Sequence, residues 1–391
     1  MNPDERTSLG ELAALFFRLG TTAFGGPPAH IAMMRDEAVV RRRWMSEARF
    51  LDLLGAANLI PGPSSTELAL HIGWQRRGLA GLIVAGLCFI VPAMLITGGV
   101  AWAYVRAGSL PQAQWLMGGV KPVILAVIAQ AVVGLLPTAA RTNNLRLLAL
   151  AAAVGSALGV NALGLLCAAG ALSVITRKLE SPTNASDSLQ QVGAAVPAAV
   201  SQAALGAGAA TIGTVSALTL PALFWVFFKT GAVLFGSGYV LLSFLRADLV
   251  QRLGWLTESQ LMDAIAIGQI TPGPVFTTAT FIGYILAGPR GALVATAGIF
   301  LPAFILVALS GPLVPRLRAS KSAGAFLDGV NAASLSLMAV VGAQLGRAAL
   351  VDLPSIVLAI AALAILLRFK LNPSWLVLGG ACAGWAIHAL G

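Results

Sequence analysis

The chain repeats its own punctuation in one order, so whatever fold its first half adopts has to be built twice. At an offset of 211 residues, Phe16-Phe17-Arg18 is matched by Phe227-Phe228-Lys229, and Phe24-Gly25 by Phe235-Gly236. At the same offset Trp44-Met45-Ser46-Glu47 is matched by Trp255-Leu256-Thr257-Glu258, Asp52 by Asp263, and Pro61-Gly62-Pro63 by Pro272-Gly273-Pro274. The offset then becomes 210: Ile72-Gly73 pairs with Ile282-Gly283, Gly78 and Gly81 with Gly288 and Gly291, Pro92-Ala93 with Pro302-Ala303, and Gly119-Val120-Lys121 with Gly329-Val330-Asn331. The order divides the chain into a first repeat at 1–176, a polar linker region at 177–218 and a second repeat at 219–391.

The solvent of this duplicated unit is lipid. Only 10% of its residues are charged and 58% are hydrophobic, against about 25% charged in a soluble domain. Apolar runs at 78–105, 145–160 and 294–307, alone or with their neighbours, approach the ~20 residues a spanning helix needs. The fold class read from this is an all-α polytopic membrane protein. The start, with Asp4, Glu5 and Arg6, lacks the pattern of a cleaved secretory signal. The net charge of +10 comes from short basic clusters between apolar segments, where they set topology, and this excludes nucleic acid as a partner. Cys88, Cys167 and Cys382 lie in apolar segments without metal-ligand or redox spacing, so neither a metal nor a cofactor is expected. Trp102, Trp115, Trp225, Trp375 and Trp385 fall near span ends as interface anchors.

Basic residues concentrate on cytoplasmic loops. In the first half they precede and follow the Pro-Gly-Pro element (Arg35, Arg41, Arg42, Arg43, Arg49, Arg76, Arg77) and recur at Arg141 and Arg146. In the second half they shift to Arg316, Arg318, Lys321, Arg368 and Lys370. The switch predicts two inverted repeats, with Arg43 and Arg318 on the same cytoplasmic side. A first span at 11–24, a re-entrant or broken segment at 50–74 and four spans between 79 and 176 give about five crossings per repeat. Inverted repeats with broken helices, and a site near the midplane at their interface, are a recurrent secondary-transporter plan.

The interruptions carry the candidate chemistry. Proline removes a backbone donor and disfavours helix in the residue before it. Asn58-Leu59-Ile60-Pro61-Gly62-Pro63-Ser64-Ser65-Thr66 and Gln269-Ile270-Thr271-Pro272-Gly273-Pro274 with Thr277 and Thr278 should therefore each stop one helix and start another at Pro63 or Pro274. A helix N-terminus presents free N–H groups and partial positive charge to an anion, and the hydroxyls of Ser64, Ser65, Thr66, Thr277 and Thr278 add donors. A plain kink is the rival reading of each element. Phe24-Gly25-Gly26-Pro27 and Phe235-Gly236-Ser237-Gly238 offer a second cradle per repeat or, equally, a tight turn. Arg18 and Lys229 match inside the first helix of each repeat, and a cation within a membrane is a functional candidate; snorkelling to an interface is the alternative. Lys121 is a further cation whose counterpart is Asn331. Asp52, Glu67 and Asp263 are candidate proton carriers. Ser46 and Thr257 read as helix caps, Thr257 with Gln260 as a capping box, and His30 and His71 as satisfied histidines. With no Walker-type loop, energy would have to come from an ion gradient or the membrane potential.

Phe24-Gly25-Gly26-Pro27 with His30-Ile31, Trp44, Leu59-Ile60-Pro61-Gly62-Pro63, Ile72-Gly73, Gly78, Gly81 and Pro92-Ala93 resembles the chromate ion transporter family in its long, two-domain form, over about 11–133 and 221–343. The resemblance implies a bacterial inner-membrane protein that exports chromate on the proton-motive force and confers resistance. It carries the family's glycine-proline motifs onto Phe24, Gly25, Gly26, Pro61, Gly62 and Pro63. In the second repeat Ser237 and Gly238 replace the second glycine and the proline, so the halves need not contribute equally. Sulfate, a dianion of the same shape, is the alternative substrate, and a homodimer is a candidate assembly. A membrane-embedded chromate reductase, the non-transport alternative, lacks a cofactor motif.

Overall fold

Lipid offers the backbone no hydrogen bonds, so each N–H and C=O must be satisfied within the chain, which helices do locally. The computed structural model describes residues 7–58, 60–107, 111–179, 218–234, 241–310, 321–369 and 373–390, and among these every regular element is helical. The first repeat contains α1 (Leu9–Thr22), α2 (Gly26–Arg35), a π-helical turn (Asp36–Arg41), α3 (Glu47–Ala57), α4 (Ser64–Ala107), α5 (Pro111–Ala139), α6 (Asn143–Ala157) and α7 (Ala162–Leu179). The second contains α8 (Leu220–Val233), α9 (Leu241–Leu245), a π-helical turn (Arg246–Arg252), α10 (Glu258–Ile270), a 3-10 turn (Val275–Thr277), α11 (Thr278–Ser310), α12 (Lys321–Ala349), α13 (Leu353–Phe369) and α14 (Pro373–Leu390). Most starts and ends correspond at the offsets of the sequence repeat. Ser46 and Thr257 cap α3 and α10 as expected, Thr257 in a full capping box with Gln260.

Neither α4 nor α11 is one straight rod. Arg77 (φ −143°, ψ 24°) and Gly78 (φ 57°, ψ −143°) leave the helical region. Gly73 and Gly81 are in direct contact, and a Cβ on Gly73 would also stand 2.7 Å from Ala85 Cβ. Eight residues of continuous helix would hold that pair about 12 Å apart, so the chain doubles back and residues 64–76 and 79–107 are antiparallel limbs. The same turn recurs at Ala287 and Gly288, where Thr280 Oγ1 lies 2.7 Å from Thr296 Oγ1 across the limbs of α11. A left-handed residue is needed at each turn, and glycine takes it without a Cβ penalty.

Two hairpins precede each long limb. Arg49 Nε donates to Gln75 Oε1 (2.9 Å), which sets the start of α3 beside the end of the first limb of α4. Residues 50–74 are thus re-entrant. Arg76 donates to Thr7 Oγ1 (2.6 Å) and to the Trp44 carbonyl (2.9 Å), so the start of α1 and the end of the first π-helical turn meet on that same face. The span expected at 11–24 is instead a 14-residue helix, about 21 Å long, whose chain turns after Thr22 and returns as α2, opened by Pro27 and Pro28. Those prolines cannot extend α1 but suit a first turn.

After the hairpins, the second limb of α4 crosses and α5 returns. Arg141, beyond α5, and Arg177, near the end of α7, both pair with Asp328, so α6 and α7 go out and back. At 15 and 18 residues they are about 22 and 27 Å long, short of a ~30 Å hydrocarbon core. Among the described residues, four helical stretches are long and apolar enough to cross a membrane, Ser64–Ala107, Trp115–Ala139, Val275–Ser310 and Gly324–Arg347. Trp102, Trp225, Trp375 and Trp385 are exposed on the helical surface, whereas Trp115 is partly buried.

The repeats are inverted. Leu82, early in the second limb of α4, packs with Ala303 and Val307, late in α11. Tyr104, at the far end of that limb, reaches Asp263 on α10 and the ring of Phe281 at the start of α11. The two long limbs therefore run antiparallel and the second repeat begins on the opposite face. Arg318 lies outside the described residues, as do 180–217 of the linker region. The repeats also interlock: α5 lies against α13 and α14, and α12 against α6 and α7. Glycine permits the closest of these approaches, since a Cβ on Gly119 would stand 2.6 Å from the Gly384 nitrogen.

Candidate transport site at the hairpin tips

Each Pro-Gly-Pro break is tied to the other repeat. The Gly62 N–H donates to the carbonyl of Leu234, at the end of α8 (2.7 Å), and the Gly273 N–H donates to that of Ala23, at the end of α1 (2.9 Å). These four residues correspond pairwise at the repeat offset, so the two bonds are one contact made twice about a pseudo-two-fold axis. Around them a Cβ on Gly273 would meet Ala93 Cβ at 2.5 Å, and one on Gly62 would meet Ala303 Cβ at 3.6 Å. Thr97 Oγ1 donates to Thr277 Oγ1 (3.3 Å) across the same seam. Hairpin tips entering from opposite faces thus meet inside the protein, with the first turns of α2 and α4 aimed at the junction.

The tips differ in detail from the sequence expectation. The glycine amides expected to face a ligand are engaged by carbonyls of the opposite repeat. Pro63 and Pro274 stand just before their helices, which start at Ser64 and, after a 3-10 turn, at Thr278. The Thr277 hydroxyl donates to the Pro274 carbonyl and that of Thr278 to the Val275 carbonyl, both 2.8 Å, so the second repeat consumes its own hydroxyls. In the first repeat Ser65 Oγ lies 3.4 Å from His30 Nδ1, and His30 Nε2 lies 3.1 Å from the Ala23 carbonyl, joining its two tips. Thr66 Oγ1, both Glu67 carboxylate oxygens and His71 Nε2 are buried without a hydrogen-bond partner. The expectation that His71 is satisfied is therefore wrong. Asn58 caps α3 and is exposed, whereas its counterpart Gln269 is buried and its carbonyl accepts from Ser374 Oγ. Phe24 is partly exposed beside Gly25 and Gly26. Pro61, Gly62, Pro272 and Gly273 form the seam itself, and Gly236 and Ser237 lie outside the described residues.

Arg18 and Lys229 do not converge there. Arg18 is two residues from Gly20, which faces the seam, and two residues are about 200° of helix. It points instead into a cleft of about 200 Å³ with Met33, Asp36 and Arg41, where its guanidinium meets Glu37 (2.6 Å). Lys229 meets Asp248, the counterpart of Glu37, at 2.5 Å. Each cation therefore closes a hairpin of its own repeat. Arg35–Glu47 and Arg246–Glu258 repeat a second such pair, and the Arg35 guanidinium holds the exposed Glu47 carboxyl below the usual carboxylate range. Glu37 and Asp248 share the 211 offset, and their pairing with Arg18 and Lys229 is visible only in the structure. Glu37 also accepts from Arg42 (3.1 Å) and lies 3.4 Å from Arg41, so Arg18→Gln leaves it paired and should lower stability by only about 0.5–1 kcal/mol, in the range of an exposed pair. Thermal unfolding in detergent should show a larger loss in Glu37→Gln, which deprives Arg18, Arg41 and Arg42 of their shared carboxylate.

One polar cluster is asymmetric. Lys121 on α5 donates to Ser259 Oγ (2.7 Å) and lies 3.4 Å from Asp263 Oδ1, while the Tyr104 hydroxyl donates to Asp263 Oδ2 (2.8 Å). It ties α4 and α5 of one repeat to α10 of the other. Its counterpart positions hold Ala48, Asp52 and Asn331; Asp52 is partly exposed on α3. No group of three or more potential metal ligands occurs among the described residues.

Inverted repeats whose broken helices meet within a lipid-facing bundle define a polytopic membrane transporter. The chain belongs to the chromate transporter family, which it matches over residues 10–176 and 221–385, and so is a multi-pass protein of the bacterial inner membrane. It is 34% identical to the chromate transport protein of Cupriavidus metallidurans, over 98% of this chain and 94% of that one. It is 32% identical to that of Pseudomonas aeruginosa, over 97% and 92%, and 32% identical to a probable chromate transport protein of Synechococcus elongatus, over 91% and 89%. No solved structure matches it.

Proposed function

We propose that this protein exports chromate from the bacterial cytoplasm, drawing on the proton-motive force, and so confers chromate resistance. The observation that carries the reading is the meeting of hairpin tips at Gly62–Leu234 and Gly273–Ala23. With the tips meeting inside the protein, the partial positive charge of the α2 and α4 N-termini and the first-turn N–H groups of Ser64, Ser65 and Thr66 suit an oxyanion, whereas Pro27 and Pro28 leave α2 few such donors. Names of relatives matched over almost their whole length support chromate as that oxyanion. The bias of Arg41, Arg42, Arg43, Arg76 and Arg77 supports a cytoplasmic first-repeat face.

Sulfate has the same shape and charge and is the competing substrate. Everted membrane vesicles from cells producing the protein should accumulate chromate when energised and lose the accumulation on adding a protonophore, with excess sulfate reporting competition. Absence of energised accumulation above vesicles lacking the protein would reject export.

A further inference from the structure

We propose that Glu67 and His71 form a proton site built into the seam and reached through the first repeat only, with Glu67 taking up a proton as the oxyanion binds. The inference rests on the chromate reading above and sets the net charge that crosses with the oxyanion. Glu67 lies in the first turns of α4 with no exposed surface, and neither carboxylate oxygen has a hydrogen-bond partner. Its Oε1 occupies the space that a Cβ on Gly62 would need. The carboxyl therefore rests against the turn whose amide reaches Leu234 of the opposite repeat. Fold stability alone gives no reason to keep such a group, because burying an unmatched carboxyl is costly and an apolar residue would pack better.

Position adds a direction. Glu67, His71 and Gln75 are spaced at i, i+4 and i+8, so they line one face of the first limb of α4. They run from the seam, through the buried and unpartnered Nε2 of His71, to the exposed Gln75 beside Arg49. The matching positions in the second repeat are Thr278, whose hydroxyl is engaged by Val275, then Phe281 and Ile285. A polar line from seam to face exists in one repeat and is apolar in the other.

The ionisable groups on the surrounding elements have other partners. On α1, Glu11 caps Ser8 and Arg18 pairs with Glu37. On α2, His30 bridges Ala23 and Ser65, and Arg35 pairs with Glu47 of α3. Arg49 of α3 holds Gln75, and Asp52 is partly exposed. On α10, Asp263 holds Lys121 and Tyr104, and Glu258 holds Arg246. Arg76 of α4 holds Thr7 and Trp44, Cys88 lies on the second limb, and Tyr284 and Arg290 of α11 lie beyond the Thr278 turn.

At a pH high enough to ionise Glu67, a dianion at the α4 N-terminus would face its carboxylate at close range, and like charges at such a site exclude one another. A proton on Glu67 removes that conflict and makes the carboxyl a donor to an oxyanion oxygen. The proton arrives from solvent at Gln75 through the His71 imidazole, which is restored when the next proton enters. Chromate with one proton then carries a single net negative charge outward. An interior-negative membrane potential favours that movement while the pH gradient opposes the departing proton, so the potential is the part of the proton-motive force that drives it.

The test measures protons and chromate together. Purified protein in weak buffer, at an alkaline pH where free chromate is the dianion, is given chromate with a pH indicator, and equilibrium dialysis measures binding in parallel. The wild type should take up about one proton per chromate bound. Glu67→Gln should bind chromate and take up none. His71→Phe, copying Phe281, should keep the stoichiometry and slow proton exchange by about a hundred-fold. Chromate binding by the wild type without proton uptake overturns the inference and leaves the chromate reading standing. Undiminished uptake in Glu67→Gln does the same. A wild type that binds no chromate overturns both.

Discussion

Gly273→Ala is expected to abolish transport and to destabilise the protein by about 3–5 kcal/mol, the combined effect of backbone strain and overpacking. Gly273 has φ 83°, and a Cβ there would stand 2.5 Å from Ala93 Cβ and 2.9 Å from the Gly20 carbonyl. Relief by backbone movement would pull its N–H away from Ala23, breaking one of the two reciprocal bonds that join the repeats. The loss is a large part of a typical net stability of about 5–15 kcal/mol. Gly98→Ala is the control: Gly98 is on α4 with open space where a Cβ would go, and it should behave as wild type. Thermal unfolding in detergent and chromate flux in vesicles would both report the difference. A Gly273→Ala protein as stable and active as Gly98→Ala would remove the seam from the mechanism.

The second large effect is expected at the clasp between repeats. Lys121→Met would leave Asp263, with its side chain only 7% exposed, without its cation; removing one member of a buried pair costs about 3–5 kcal/mol. Tyr104→Phe removes one hydrogen bond to the same carboxylate and should cost about 1–3 kcal/mol, in the range for a bond to a charged acceptor. Lys121→Met/Asp263→Asn should recover most of the stability lost by Lys121→Met alone, because no unmatched charge remains. A double variant as unstable as the sum of its two singles would mean that Lys121 and Asp263 do not act as a pair.

The repeat, its inversion and the Pro-Gly-Pro breaks were legible in the sequence because each rests on a strong local rule. Proline and glycine punctuate helices, and arginine marks the cytoplasmic side. A boundary between 74 and 79 was legible from Arg76, Arg77 and Gly78, but that the two limbs lie antiparallel against each other shows only in the contact of Gly73 with Gly81. The return of α1 as α2 was hidden because a 14-residue apolar helix differs little from a short span until Thr7 before it and Trp44 beyond α2 are seen to meet at Arg76. The site was half legible. Matching offsets led to Gly62 and Gly273 but gave Arg18 and Lys229 a shared destination, whereas Glu37 and Asp248 hold each in its own repeat. Symmetry also obscured Glu67 with His71, and Lys121 with Asp263, because these groups have no equivalents in the other half.

The most direct test of the account is the sidedness of one equivalent pair. With Cys88, Cys167 and Cys382 replaced, single cysteines at Arg41 and Arg252, both well exposed at the ends of their π-helical turns, should be labelled by an impermeant thiol reagent from opposite faces of the membrane. Arg41→Cys should react only from the cytoplasmic side and Arg252→Cys only from the other. Labelling of both from one face would contradict the inverted arrangement, and with it the meeting of hairpin tips from opposite sides.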